Sequence, residues 1–345
     1  MSAGEGAVEP GPAGARPVVY VTRLIPEPGL RLLAEIFAVT GNREDRTPAR
    51  EEIAEGLAQA DAVVSTLRER IDAELLARAG TRLRVISNMA VGYDNIDVAA
   101  ATERGILVTN TPGVLTETTA DLAWALILGA SRRVAEGDRM MRAGGFHGWT
   151  PTMLLGRDVY GKTLGIVGMG AIGRAVARRA LGFDMRVLYT NRSGPLGADA
   201  VPAGARWEHR PALRDLLSEA DIVSLHVPLT EATHHLLGRA ELALMKPGAV
   251  LVNTARGPVV DEAALVEALR SGHLGAAGLD VYEDEPRPAP GLVDLPNTLL
   301  LPHLGSASVE TRGRMAELAA RNAIAAVTGG RVPHPVNPVV LENRE

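Results

Sequence analysis

Residues 163–176 read TLGIVGMGAIGRAV, and this stretch decides the fold. Gly168, Gly170 and Gly173 follow a short apolar run and open a helical pattern. That is the strand, turn and helix order a G-x-G-x-x-G sequence needs to hold a pyrophosphate. The first glycine permits a tight turn, and the second lets the backbone approach the anion. The third lets the helix lie close to its strand, so that the helix N-terminus faces the phosphate. The spacing predicts a dinucleotide site, with Ala171 and Ile172 completing the turn. The pattern also sits near the middle of a 345-residue chain, and that position is informative.

Working outward, apolar runs alternate with helical patterns, which predicts βαβ units and parallel sheets. Ahead of the glycines, strands are expected at 18–25, 62–66, 83–88 and 106–109. Helices are expected near 27–37, 49–59, 72–79 and 95–104. A long helix is expected over 116–143, capped by Thr116 and stopped at Gly144-Gly145. A loop of about 16 residues, FHGWTPTMLLGRDVYG, leads into the glycine pattern; loops of that length are usually functional or part of an interface. Beyond it, strands are expected at 163–168, 185–190, 221–227, 249–254, 275–281 and 298–301. Helices are expected at 171–182, 212–219, 239–245 and 261–271, and a last one near 306–328. A dinucleotide domain with a complete α/β domain before it and a helix after it reads as an insertion. Residues 115–303 form the inserted cofactor domain, and 17–114 with 304–345 form a discontinuous substrate domain. The active site is expected in a cleft between the two.

Composition narrows the function classes. Apolar residues make up 46% and aromatics only 3%, so the core must be aliphatic, as buried parallel strands require. The net charge of −5 comes with no basic block, which argues against a nucleic-acid partner. There are no cysteines, so disulfides, thiolate metal sites and a cysteine nucleophile are excluded. Residues 1–16, MSAGEGAVEPGPAGAR, lack the apolar core of a signal peptide and read as a disordered tail. The longest apolar stretch, Leu122 to Ala130, is about half of a membrane span. A cytoplasmic, membrane-free protein without a metal is expected.

The strand after the glycine turn ends in Asn191, Arg192 and Ser193, where an NAD site would place an acid to hold the ribose 2′-OH. A guanidinium, a hydroxyl and an amide there favour a 2′-phosphate. NADP(H) is the expected cofactor, with NAD(H) as the alternative. Three ionisable residues then follow successive strands: Arg256, Glu285 and His303. Each has a bland reading alone, as a surface arginine, an acidic patch and a strand-end histidine. Together they make a working set. A histidine supplies a proton, a carboxylate orients its ring, an arginine holds a 2-oxo acid by its carboxylate, and a nicotinamide supplies hydride.

The motifs MAVGYDNID (89–97), GKTLGIVGMGAIGRAVARRA (161–180), HVPLT (226–230), NTARGPVVDE (253–262), GLDVYEDEP (278–286) and PHLGSAS (302–308) carry a resemblance. From about residue 17 onward the chain resembles the D-isomer-specific 2-hydroxyacid dehydrogenases. The resemblance implies two Rossmann-like doubly wound domains, the smaller flavodoxin-like and discontinuous. It implies that Arg256, Glu285 and His303 are catalytic and that the Val91 and Gly92 amides meet the substrate carboxylate. It assigns Thr254, Ala255, Gly305 and Thr119 to the cofactor, Asp280 to the nicotinamide carboxamide, and His226 to packing. Ala171 departs from the pattern, since many relatives have arginine there.

Within the family, residues 146–168 and LYTNRS are most similar to glyoxylate and hydroxypyruvate reductases. In those enzymes Trp149 would reach the partner subunit's substrate, which implies a homodimer. Rivals are D-lactate, phosphite, formate and phosphoglycerate dehydrogenases. The long phosphoglycerate type is disfavoured by the short stretch after the last helix. A dinucleotide-sensing corepressor is a rival of another class, though no peptide groove is legible.

Overall fold

The computed structural model describes residues 16–42 and 44–342, so the tail expected over 1–16 lies outside it apart from Arg16. The chain divides into two compact units. One takes the described residues up to Val114 and from Val309 onward, and the other is Leu115–Ser308. The return comes at Val309 and not at 304. The reason is local: the amides of Leu304 and Gly305 both bond to the Asp280 carboxylate, which keeps that loop in the larger unit.

The smaller unit begins β1 (Val18–Val21), α1 (Glu27–Ile36), β2 (Ala38–Gly41), α2 (Arg50–Gln59), β3 (Ala62–Ser65), α3 (Ala73–Ala77), β4 (Val85–Asn88), α4 (Val98–Glu103) and β5 (Leu107–Thr109). Its five strands are all parallel, in the order β2-β1-β3-β4-β5. This is the flavodoxin-like doubly wound order. Every residue of β3 and β4 is buried, so these strands read as continuous runs rather than alternating ones. Strand β2 is absent from the sequence-based expectation. It lies at the edge, mostly exposed, and so carries no apolar run.

The larger unit continues with α5 (Thr116–Ser131), α6 (Val134–Arg142), β6 (Thr163–Val167), α7 (Ala171–Arg179), β7 (Arg186–Thr190), β8 (Arg206–His209) and α8 (Leu213–Glu219). It ends with β9 (Ile222–Leu225), α9 (Arg239–Leu244), β10 (Val250–Asn253), α10 (Glu262–Arg270), β11 (Ala276–Leu279) and β12 (Thr298–Leu300). The seven strands are parallel, in the order β12-β11-β10-β9-β6-β7-β8. Chain order reverses between β6 and β9, where a doubly wound sheet places its ligand crevice. Edge strand β8 is the second strand missed, again because none of its residues is fully buried.

The single helix expected over 116–143 is two. Arg133 adopts a left-handed backbone (φ 56°) between α5 and α6. Its guanidinium grips Glu136 through two bonds of 3.0 and 2.7 Å. Thr116 is the first helical residue rather than the cap, and Leu115 precedes it without a side-chain bond. The two helices differ in role. Helix α5 is a core element: the Trp124 indole N–H donates to the Val176 carbonyl (3.0 Å), and the ring stacks on Phe183 at 4.5 Å. Helix α6 buries no residue.

The chain re-enters the smaller unit through α11 (Val309–Thr328), three residues later than its expected start. Ser87 on β4 donates to the Ala319 carbonyl of α11 at 2.8 Å. The Pro-rich tail is then fastened to β5. Asn337 accepts from the Val108 amide (2.7 Å) and donates to the Ile106 carbonyl (3.0 Å) before α12 (Val339–Glu342). No helix among the described residues is long and apolar enough to cross a membrane.

Candidate active site

The turn after β6 is built from close approaches. Gly168 has a left-handed φ of 97°, and a Cβ there would lie 2.6 Å from the His226 carbonyl oxygen. A Cβ on Gly173 would lie 2.1 Å from the Gly168 carbonyl, so α7 can lie against β6 only without a side chain. Gly170 differs: nothing lies within 4 Å of where its Cβ would be. Its backbone therefore faces open space at the start of α7, where first-turn N–H groups lack intrahelical partners. Ala171 is exposed and Ile172 half-buried beside it. One turn of chain thus combines bare backbone, free amides and a helix N-terminus, and these features fit a dinucleotide pyrophosphate.

The end of β7 fits the ribose side. Arg192 is exposed and makes no hydrogen bond or ion pair among the described residues. Asn191 donates to Ser193 Oγ at 2.7 Å. At the end of β10 the buried hydroxyl of Thr254 has no partner, an orphan that a ligand group would satisfy.

Arg256, Glu285 and His303 follow β10, β11 and β12, three neighbouring strands of one sheet. Each is positioned by its own turn. Asn253, almost fully buried, accepts from the Ala255 amide (3.0 Å) and donates to the Arg256 carbonyl (2.9 Å), which folds the Thr254–Arg256 turn. The Arg256 guanidinium donates to the Ala255 carbonyl at 2.9 Å. Gly257 is obligatory, since a Cβ there would come within 1.8 Å of the Tyr282 backbone. The Arg256 turn and the Glu285 loop are thus pressed together.

His303 takes a left-handed backbone (φ 57°), and its amide donates to the Asp280 carbonyl at 2.9 Å. The Asp280 carboxylate accepts from Leu304 N (2.6 Å) and Gly305 N (2.8 Å). Burial raises the Asp280 pKa, while these amides and His303 oppose the rise. Thr119 adds a third restraint, donating to the Gly305 carbonyl at 3.1 Å. Both side chains expected at the cofactor thus have work to do in holding the His303 loop. His303 Nδ1 lies 3.1 Å from each oxygen of Glu285.

Two fasteners of the Glu285 loop are missing from the sequence-based site. Glu262, almost fully buried at the start of α10, accepts from the Glu283 and Ala289 amides, both at 2.8 Å. Glu283 returns the bond by accepting from the Glu262 amide (3.0 Å), and its other oxygen meets His235. One carboxylate therefore grips the loop on both sides of Glu285. Burial raises the Glu262 pKa, and the amide bonds oppose the rise. Its signal was an acid at the end of NTARGPVVDE, directly after the Asp261 helix cap, which accepts from the Ala264 amide. His226 is held by Ser224, whose hydroxyl lies 2.9 Å from its Nε2. Burial pushes its imidazole down to about 3.

Val91 and Gly92 lie in the smaller unit, after β4. Trp149 is 78% exposed, so its ring is not packed into the core.

A dinucleotide turn with an arginine and a histidine–glutamate pair on adjoining strands defines an NAD(P)-type oxidoreductase. The D-isomer specific 2-hydroxyacid dehydrogenase NAD-binding domain matches residues 124–305. A glyoxylate reductase of Korarchaeum cryptofilum is 51% identical over 337 residues, covering 95% of this chain and 98% of its own. A Thermus thermophilus protein superposes with a TM-score of 0.84 at 49% identity, covering 92% of this chain and 99% of that one. An NADPH-dependent glyoxylate/hydroxypyruvate reductase of Sinorhizobium meliloti, in complex with NADP and malonate, has a TM-score of 0.81 at 33% identity over 93% and 97%. The chain belongs to the D-isomer specific 2-hydroxyacid dehydrogenase family.

The low value at His226 sets a sign. The folded ring titrates near 3 and an unfolded one near 6.5, so the unfolded chain takes up a proton that the folded chain refuses. The contribution of His226 to stability is full above about pH 6.5 and is lost as pH falls toward 3. In urea unfolding at pH 7 and at pH 4.5, His226→Gln should lose less than the wild type, by on the order of 1–3 kcal/mol. Equal losses would mean that solvent reaches the ring.

Proposed function

We propose that this protein is a cytoplasmic, NADPH-dependent reductase of small 2-oxo acids, glyoxylate or hydroxypyruvate, yielding glycolate or D-glycerate. The observation that carries this reading is the His303–Glu285 pair. With both Glu285 oxygens on Nδ1, the ring keeps Nδ1–H and presents Nε2 as its one reactive atom. The doubly protonated His303 ring gives its Nε2 proton to the carbonyl oxygen and is left as the neutral Nδ1–H ring, which Glu285 holds in place. Arg256 binds the substrate carboxylate and draws charge from the adjoining carbonyl, and the N–H groups of Val91 and Gly92 bind the same carboxylate. The nicotinamide, when bound, supplies the hydride. The glyoxylate reductase relatives support the substrate class.

For the cofactor, the pyrophosphate takes Gly168, Gly170, Ala171, Ile172 and Gly173. Thr254, Ala255, Asp280, Gly305, Thr119 and His303 line the nicotinamide side. Arg192, Ser193 and Asn191 take the 2′-phosphate, which the unpaired state of Arg192 favours. The NADP bound to the Sinorhizobium reductase supports the same preference. NADH remains the weaker alternative.

We also propose a homodimer. Val134, Met141, Phe146, Trp149, Leu155 and Tyr160 are all exposed within one stretch of 27 residues, and α6 buries nothing of its own. Such a run of apolar side chains belongs under a partner, and Trp149 then reaches the partner's substrate.

Three measurements test this reading. In steady-state assays with glyoxylate, His303→Ala should lower kcat by about 10²–10⁴-fold; retention of most activity would remove His303 as the acid. Arg192→Ala should cost about tenfold or more in kcat/KM for NADPH and little for NADH, the loss expected for a charged hydrogen bond. A wild type that prefers NADH would overturn the assignment. Light scattering should give twice the 36.3 kDa chain mass, and Trp149→Ala should raise KM for the 2-oxo acid. A monomer with full activity would refute the dimer. Absence of turnover on any 2-oxo acid would favour a dinucleotide-sensing corepressor instead.

A further inference from the structure

We propose that Asn110 and Asn88 are positioning residues that turn three successive peptide groups of the smaller unit into a carboxylate receptor, and that the Tyr93 amide is its third donor. This rests on the reductase reading above and adds to it.

The chain leaves β4 at Asn88 and crosses 89–95 as irregular backbone. Three consecutive carbonyls on this crossing are each held. Ala90 O accepts from the Thr111 amide at 2.8 Å. Val91 O accepts from the Asn110 side-chain amide at 2.8 Å, and Gly92 O accepts from that of Asn88 at 3.0 Å. A trans peptide is planar, with its C=O and N–H on opposite sides. Holding Ala90 O therefore aims the Val91 N–H away from Thr111. Holding Val91 O aims the Gly92 N–H away from Asn110, and holding Gly92 O aims the Tyr93 N–H away from Asn88. None of these three N–H groups has an acceptor among the described residues. Val91 and Gly92 are half-buried and Tyr93 is exposed, so these donors stay accessible to an arriving ligand while their carbonyls are held. Successive open N–H groups bind anions.

The two asparagines are themselves held. Asn88 is fully buried. It accepts from Ser65 Oγ (3.1 Å) and donates to Asn95 Oδ1 (3.1 Å). Asn95 in turn donates to the carbonyls of Thr66 and Glu69, both at 3.0 Å. The Asn110 carbonyl accepts from Asn322 on α11 at 3.0 Å, and Asn322 accepts from the His334 amide at 3.2 Å. The residue type also matters. A neutral amide donates to a carbonyl without adding a charge that would compete with the main-chain donors for an arriving carboxylate. Position 110 therefore acts through the backbone, on how tightly the carboxylate is held and not on the proton or hydride transfer.

The test compares the full-length wild type with Asn110→Ala and the near-isosteric, uncharged Asn110→Leu. The readouts are Tm, NADPH affinity by fluorescence titration, KM and kcat for glyoxylate, and calorimetric affinity for oxalate, a two-carbon dicarboxylate that accepts no hydride. The expected result is a tenfold or larger rise in KM and in the oxalate dissociation constant. NADPH affinity and kcat should change by less than about threefold, since ground-state binding alone is lost. A folded variant that binds oxalate and glyoxylate like the wild type overturns the inference. So does a variant that loses kcat with KM unchanged, and so does a wild type that does not bind oxalate. A wild type that binds oxalate through Asn110 but reduces no 2-oxo acid leaves the receptor standing and sinks the reductase reading.

Discussion

The reactive end of the larger sheet depends on buried carboxylates whose main-chain partners are N–H groups. Parallel strands deliver Arg256, Glu285 and His303 to the same edge, but the loops that carry them are irregular and have no ladder of their own. Asp280 supplies two acceptors to the His303 loop, and Glu262 supplies two to the loop around Glu285. Each replaces the sheet hydrogen bonds that the backbone gives up when it leaves β11 or β12. Burial raises both pKa values, and the amide bonds oppose the rise. The alternative, a loop with orphaned amides, would be more costly and would let the histidine wander from its carboxylate.

This division of labour explains what was legible in the sequence. The glycine turn could be read because each glycine answers a contact that any side chain would block, and the structure supplies those contacts at Gly168 and Gly173. The buried strands could be read because being covered on both faces forces uninterrupted apolar runs. Strands β2 and β8 could not, since an edge strand with exposed residues leaves no such run. The break at Arg133 was hidden because arginine is a good helix former, and neither its left-handed backbone nor its bonds to Glu136 and Leu155 leave a mark in the pattern. Arg256, Glu285 and His303 were visible as chemistry at strand ends. Their fasteners were less visible, because an acid such as Glu262 looks the same whether it faces solvent or a row of amides.

Asp280 and Thr119 are instructive for the same reason. A family pattern marks both positions as close to the cofactor, and pattern alone gives no distinction between touching a ligand and holding a loop that touches it. Here both side chains bond to residues 304 and 305. A residue can be indispensable to a site through one peptide group, and its loss would then displace His303 as a unit with its loop.

The two units fasten their irregular loops with opposite chemistry. In the larger unit the carboxylates of Asp280 and Glu262 hold main-chain N–H donors, and that of Glu285 lies against the His303 ring. In the smaller unit the groups held are the Gly92 and Val91 carbonyls, so the holders, Asn88 and Asn110, donate. A lysine or arginine could also donate, but its charge would be costly to bury at a fully enclosed position such as 88. Asparagine is the shortest neutral side chain that donates through nitrogen and still accepts at its other end, which is how Asn88 and Asn95 interlock. The polarity of these fasteners thus follows from the main-chain groups they hold, carboxylates under N–H groups and asparagine amides under carbonyls.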